Sequence, residues 1–218
     1  MTTLTGPRLA AANGTTSSLV VLLHGYGADG ADLIGLGDAL APHLPGTTFL
    51  APNAPQRCAV NPGGYQWFSI PWMDGSSEAD MTAGMTASAA AIDAYLDALP
   101  EAEGVAPAQT VVVGFSQGTM MSLEVVPRRA DPVAGIIGFS GRLLDGARLP
   151  AEIKSRPPVL LIHGDADEVV PAQHLPEAAE GLRAAGVTVE THISPGIGHG
   201  IAPDGLQKAL AFMQAHLG

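Results

Sequence analysis

The run Thr110-Val111-Val112-Val113 leads without a break into Gly114-Phe115-Ser116-Gln117-Gly118 and then into the helix-like Thr119-Met120-Met121-Ser122-Leu123-Glu124. An apolar β-branched run followed at once by a helical pattern requires a strand that turns sharply into a helix. That unit commits the chain to a mixed architecture. The residue at the apex of so tight a turn stands proud of the sheet, and a glycine on either side removes the Cβ atoms that would clash. Ser116 occupies the apex and is the first candidate for a nucleophilic serine.

The rest of the chain repeats the alternation. Residues 19–23, 47–51, 110–113, 133–139, 159–163 and 187–193 read as short strands, mostly apolar on both faces. Strands of that kind pair in parallel between helical layers, and residues 31–43, 81–99, 117–127, 171–186 and 204–217 supply the helices. The expected fold class is therefore α/β, with a mostly parallel central sheet covered on both faces. In the second helix Met81, Met85, Ala89, Ile92, Leu96 and Leu99 recur at helical spacing and read as core packing rather than a ligand stripe.

A chain of 218 residues, 46% hydrophobic and 14% charged, can bury one large core, so residues 1–218 are expected to form a single domain. Its formal charge of -11, with only ten Lys and Arg, argues against nucleic acid or an anionic membrane as partner. No basic stretch leads into a long apolar run and no segment nears the ~20 apolar residues that span a bilayer. A cytoplasmic protein without stable membrane insertion is expected. The single cysteine, Cys58, excludes an internal disulfide framework and a cysteine metal cluster.

One stretch breaks the pattern. Residues 56–80 show no convincing period, yet they hold Tyr65, Trp67, Phe68, Ile70, Trp72 and Met73. Disorder would waste so many large apolar groups, which leaves a loop packed over a pocket or a purely structural plug. Under the first reading Trp67, Phe68, Ile70, Trp72 and Met73 are candidate pocket residues.

A serine hydroxyl needs a base in contact, and the base needs a group that fixes its tautomer. Such partners belong on other strand ends at the same sheet edge. His163-Gly164-Asp165-Ala166-Asp167 follows one apolar run, and Gly198-His199-Gly200 follows the next. Flanking glycines permit a tight loop that turns His199 inward, which favours it over the strand residue His192. Asp167, farther into its loop, reaches an imidazole better than Asp165, which is suited to bracing the turn. The oxyanion formed on attack needs donors. The Gln117 N–H at the start of a helix is one, and the Tyr26 N–H, in the loop after residues 19–23, is the second. His24 is either a brace for that loop or an ordinary turn histidine.

Two other readings compete. Gly25-Tyr26-Gly27-Ala28-Asp29-Gly30 also fits the dinucleotide-binding pattern, but residues 47–53 end without the acid expected for a ribose. His163, Asp165, Asp167 and His199 suggest a metal site, but no His-x-His pair completes an ordinary ligand set. Neither accounts for the turn at Ser116.

In order and spacing, Leu23 to Gly30, Asn61 to Tyr65 with the aromatics after it, Gly114 to Gly118, His163 to Pro171 and Gly198-His199 cover nearly the whole chain. With its Ser, Asp, His order, the sequence resembles the phospholipase/carboxylesterase group of α/β-hydrolases that includes acyl-protein thioesterases. The resemblance implies a Ser116, His199, Asp167 triad, an oxyanion hole from the Tyr26 and Gln117 amides, no cofactor and no metal. It also implies activity on carboxylic esters or thioesters, with residues 56–80 shaping the acyl pocket. Two departures bear on acyl length: the family more often has Leu at Tyr26, and Trp67 to Trp72 is not a close copy of its aromatic segment. The expected substrates are esters of short to medium acyl chains. Lysophospholipase or protein-deacylating activity, a non-catalytic binding protein on the same fold, and a homodimer all stay open.

Overall fold

In the computed structural model, residues 3–217 are described; residues 1, 2 and 218 of the expected domain lie outside them. In chain order the elements are β1 (Arg8–Leu9), β2 (Ser18–Leu23), α1 (Gly30–Leu40), β3 (Thr47–Leu50), β4 (Gln56–Arg57), β5 (Tyr65–Gln66), α2 (Pro71–Asp74) and α3 (Glu78–Glu103). There follow β6 (Thr110–Phe115), α4 (Gln117–Val125), β7 (Gly135–Phe139), α5 (Leu149–Glu152), β8 (Val159–Gly164), α6 (His174–Ala184), β9 (Val189–Ser194) and α7 (Pro203–His216).

Seven strands form one sheet in the order β1-β3-β2-β6-β7-β8-β9. Only β1 is antiparallel to its neighbour. The alternation of strand side chains explains why the inner strands had to be apolar throughout. Leu19, Val21 and Leu23 of β2 pack on one face with Ile92 and Leu96 of α3 and Met121 and Leu123 of α4. Val20 and Leu22 point the other way, toward Leu33 and Leu40 of α1 and Phe212 and Met213 of α7. The edge strand β9 departs from the expected pattern: Glu190, Thr191 and Ile193 are exposed because no strand lies beyond it.

Five short features escaped the sequence reading. β1, β4 and β5 are two residues long, too short to show a period. The helices α2 and α5 are four residues each, with a proline in the first turn. Residues 56–80 are thus not without regular structure. They hold the β4–β5 ribbon, with Gln56 opposite Gln66, then α2 and the start of α3. Ser77 fixes that start, its hydroxyl accepting from the Asp80 N–H at 3.1 Å while the Asp80 carboxylate accepts from the Ser77 N–H at 2.9 Å.

Parallel pairing brings several strand ends to one edge. Leu23 lies beside Gly114, Phe115 beside Phe139, Phe139 beside Ile162, and Gly164 beside Ser194. The loops leaving β2, β6, β7, β8 and β9 emerge together there. Next to the turn at Ser116, helix α4 presses on β2 so closely that a Cβ at Gly118 would lie 1.8 Å from the Leu23 carbonyl oxygen. That oxygen is backbone and cannot swing away. Gly118→Ala should destabilise the fold by about 3 kcal/mol in denaturant unfolding. Gly35→Ala, in α1 with open space around it, should instead stabilise by up to ~1 kcal/mol.

Candidate active site

Ser116 sits between β6 and α4 at φ 54 and ψ -115, a conformation that a non-glycine residue adopts only under constraint. The constraint is visible. Its N–H donates to the Phe139 carbonyl at 2.9 Å, its own carbonyl accepts from the Met120 N–H at 3.1 Å, and the Thr119 hydroxyl lies 2.8 Å from both the Gly114 and Phe139 carbonyls. The elbow is therefore clamped by both neighbouring strands and by its own helix.

Asp167 and His199 come from the loops after β8 and β9. His199 Nδ1 lies 2.8 Å from Asp167 Oδ2. The other carboxylate oxygen accepts from the Val169 and Val170 N–H groups, each at 2.9 Å, so the carboxylate has one orientation. Burial pushes the Asp167 carboxyl up, but the His199 hydrogen bond and the two amides outweigh it and hold it below the usual carboxylate range. An ionised Asp167 requires Nδ1–H on the imidazole and leaves Nε2 as the basic nitrogen. Among the described residues, Asp167 is the only hydrogen-bond partner of the His199 ring, whose other contact is the Phe115 ring with centroids 5.0 Å apart. Contact between nucleophile and base commonly closes only on substrate binding.

The rivals have other work. His192 Nε2 is 2.7 Å from Asp204 Oδ2, which ties β9 to α7. Asp165 Oδ1 accepts from the Gly196 N–H at 2.6 Å and braces the loop that carries His199. His163 is buried and its Nε2 donates to the Val170 carbonyl at 2.8 Å. His163 Nε2 also lies 3.4 Å from Asp167 Oδ2, so the groups that suggested a metal site are each engaged with other protein groups.

The glycine-rich loop after β2 is likewise occupied. The N–H groups of Gly27, Ala28, Asp29 and Gly30 donate to Tyr65, Gly25, Asp32 and Asn53, and Asp29 caps α1. A phosphate would find them taken. Among the described residues the Tyr26 N–H donates to nothing, and neither does the Gln117 N–H at the positive end of α4. Below this loop His24 is fully buried. Its Nε2 accepts from the Ala54 N–H at 2.9 Å, so Nδ1 carries the proton given to the Gly25 carbonyl at 2.8 Å. It is a brace, not an ordinary turn histidine.

Ser116 and His199 line one cavity of about 560 Å³. Phe68, Ile70, Trp72 and Met73 contribute to its wall as the sequence suggested. Trp67 does not, which corrects its assignment to the pocket. An indole N–H must be satisfied when buried, and that of Trp67 donates inward to the His24 carbonyl at 2.8 Å. The backbone of Trp67 is held as well, by Gln117 Oε1 at 3.1 Å and by the Ser88 hydroxyl, while Gln117 Nε2 donates to the Phe68 carbonyl at 2.8 Å. The sequence reading missed Phe115, Met120 and Val169 among the lining residues. Phe115 was legible in principle as the residue before the apex. Met120 and Val169 carried no signal apart from their neighbours.

A mostly parallel sheet, a strained serine between strand and helix, and an Asp–His pair on later strand ends define an α/β-hydrolase. The chain belongs to the phospholipase/carboxylesterase family, whose model matches residues 4–217. It is 30% identical over 192 residues to the esterase YpfH of Escherichia coli (strain K12), covering 88% of this chain and 80% of that protein. It is 31% identical over 180 residues to acyl-protein thioesterase 1 of Gibberella zeae, covering 78% and 77%. The crystal structure of esterase PE8 is 46% identical and superposes with a TM-score of 0.93, covering 99% of this chain and all of the other.

Burial lowers the His24 pKa from 6.5, partly opposed by the hydrogen bond to Gly25, so the native ring is neutral where an unfolded one gains a proton. The unfolded state then binds more protons below about pH 6.5. Its contribution to stability is full above that pH and is lost as pH falls toward the native pKa. The difference in unfolding free energy between wild type and His24→Asn should shrink from pH 7.5 to 5; a constant difference would contradict a neutral, buried His24.

Proposed function

We propose that Ser116, His199 and Asp167 act as a catalytic triad, with the Tyr26 and Gln117 backbone N–H groups as the oxyanion hole. The observation that carries it is the 2.8 Å His199–Asp167 contact, made by a histidine that shares its cavity with the strained serine. The chain is a serine hydrolase of carboxylic esters.

The chemistry follows from the geometry. His199 Nε2 takes the hydroxyl proton as Ser116 Oγ forms a bond to the acyl carbon. The imidazolium is stabilised by Asp167, which stays ionised because three hydrogen bonds hold it so. Negative charge on the carbonyl oxygen is met by two N–H groups that need no reorganisation, one of them at the end of a helix dipole. Collapse of this intermediate breaks the bond to the leaving group, which departs with the proton from His199. Water then attacks the acyl-serine, again losing a proton to His199, and the acid is released as Ser116 regains its hydrogen. An alcohol and a thiol both leave by this route, so thioesters fall within its chemistry.

Phe68, Ile70, Met73, Met81 and Met120 give the cavity an apolar wall suited to short and medium acyl chains. Flexible methionines let such a wall accept more than one chain length. Ser116→Ala should lower kcat on a 4-nitrophenyl butyrate substrate by roughly 10⁴-fold or more with an unchanged melting temperature. Asp167→Asn should cost about 10³- to 10⁴-fold, because the amide no longer enforces the Nδ1–H tautomer. A fluorophosphonate probe should label Ser116 in the folded protein. Near-native turnover by Ser116→Ala, or no labelling, would replace the hydrolytic reading with that of a binding protein.

A further inference from the structure

The turn after β7 carries strain that the hydrolytic steps do not use. Ser140 stands at φ 47 and, with Ser116, is one of the two non-glycine residues at positive φ among the described residues. Its N–H donates to the Ile162 carbonyl at 2.9 Å, and its hydroxyl is buried without a partner. Backbone strain persists only where the surroundings over-determine it, and it gathers at functional sites. Gly141 comes next. A Cβ there would fall 2.4 Å from Thr119 Cβ and 3.0 Å from the Ser116 carbonyl oxygen, so this turn presses against the elbow itself. The residue it delivers is Arg142, which lines the cavity with Ser116 and His199.

Arg142 is exposed, and among the described residues it makes neither a hydrogen bond nor an ion pair. Every other arginine holds a carboxylate, a backbone carbonyl or an aromatic ring. In a chain with 21 acids against 10 cations, a guanidinium left free beside the nucleophile stands out. Glu78 lines the same cavity but is not paired with it. A guanidinium presents a rigid fork that matches a carboxylate bidentately. One guanidinium supplies a single positive charge, and Glu78 adds a negative one to the same lining, so the site tolerates a carboxylate monoanion better than a phosphate dianion.

We propose that Arg142 is a specificity-determining residue that binds a carboxylate on the substrate, so that the preferred esters are monoanionic. The carboxylate belongs either to the acyl part, as in a half-ester of a dicarboxylic acid, or to the alcohol part, as in an ester of a hydroxy acid. The inference rests on the hydrolytic role of Ser116.

Two substrate pairs test it: 4-nitrophenyl hydrogen glutarate against its methyl ester, and 4-carboxyphenyl butyrate against its methyl ester. The ratio of kcat/KM, anionic over neutral, is measured for wild type, Arg142→Lys, Arg142→Ala and Arg142→Glu. In one pair the ratio should fall about tenfold from wild type to Arg142→Ala, as for loss of one charge-assisted contact. The change should lie mainly in KM, with Arg142→Lys intermediate, Arg142→Glu lowest, and the wild-type preference shrinking in 0.5 M NaCl. The pair that responds identifies the side that carries the charge. Ratios within twofold of one another across all four proteins in both pairs would overturn the proposal. Ser116→Ala on the neutral esters separates the two failures: if it is inactive while the ratios stay flat, the carboxylate site alone is lost, and if it keeps turnover, the hydrolytic reading falls too.

Discussion

The site depends on one close contact between backbones. For Ser116 to stand above the sheet, α4 must begin immediately and lie against β2, and the Gly118–Leu23 approach is what permits it. The same approach sets the Gln117 N–H beside the Tyr26 loop, since that loop leaves β2 just beyond Leu23. The proposed nucleophile and oxyanion donors are therefore fixed by a single packing constraint. The unfavourable dihedrals at Ser116 cost on the order of 1–3 kcal/mol, and the clamp of hydrogen bonds from Phe139, Met120 and Thr119 holds them.

Gln117 extends that constraint to the acyl pocket. Its backbone N–H is a proposed oxyanion donor, while its side chain makes two hydrogen bonds to the chain at Trp67 and Phe68. Trp67 in turn reaches His24, which braces the loop of the other proposed oxyanion donor. These contacts form a chain from Gln117 through Trp67 to His24 and the Gly25 carbonyl, next to Tyr26. Buried polar networks of this kind fix one arrangement of a core when every member is satisfied. A change in the segment at residues 67–68 is thus felt at the proposed oxyanion hole as well as at the pocket.

The parts of the molecule that were legible in the sequence are those where burial imposes a period or a turn imposes a residue type. The strand at Thr110 and the apex at Ser116 were legible together because the glycines explain one another. Asp167 and His199 were legible from their places after apolar runs, although nothing local separated Asp167 from Asp165 except reach. Trp67 was misplaced because a large aromatic in a long loop reads the same whether it faces a ligand or plugs the core. Its indole N–H needed a partner, and only the fold shows where that partner lies. The two-residue strands were too short to be read at all, and nothing in the sequence singled out Arg142, which the turn at Ser140 places on the cavity.

Tyr26, a departure from the leucine more usual in the family, has a structural explanation. Its hydroxyl donates to Asp74 Oδ2 at 3.0 Å, and Asp74 also accepts from the Ile70 N–H at 2.9 Å and the Ser76 N–H at 3.0 Å. Burial pushes the Asp74 carboxyl up, but hydrogen bonds from Ser76, Ile70 and Tyr26 prevail and hold it down to about 2. It stays an acceptor across the whole neutral and mildly acid range. The bond ties α2, with Trp72 exposed at the mouth of the cavity, to the loop that carries a proposed oxyanion donor. A leucine has no hydroxyl to offer Asp74 and would remove this link. The pocket wall at α2 is thereby linked to the proposed oxyanion hole, so a shift of α2 that made room for a longer acyl chain would strain or break the Tyr26–Asp74 bond.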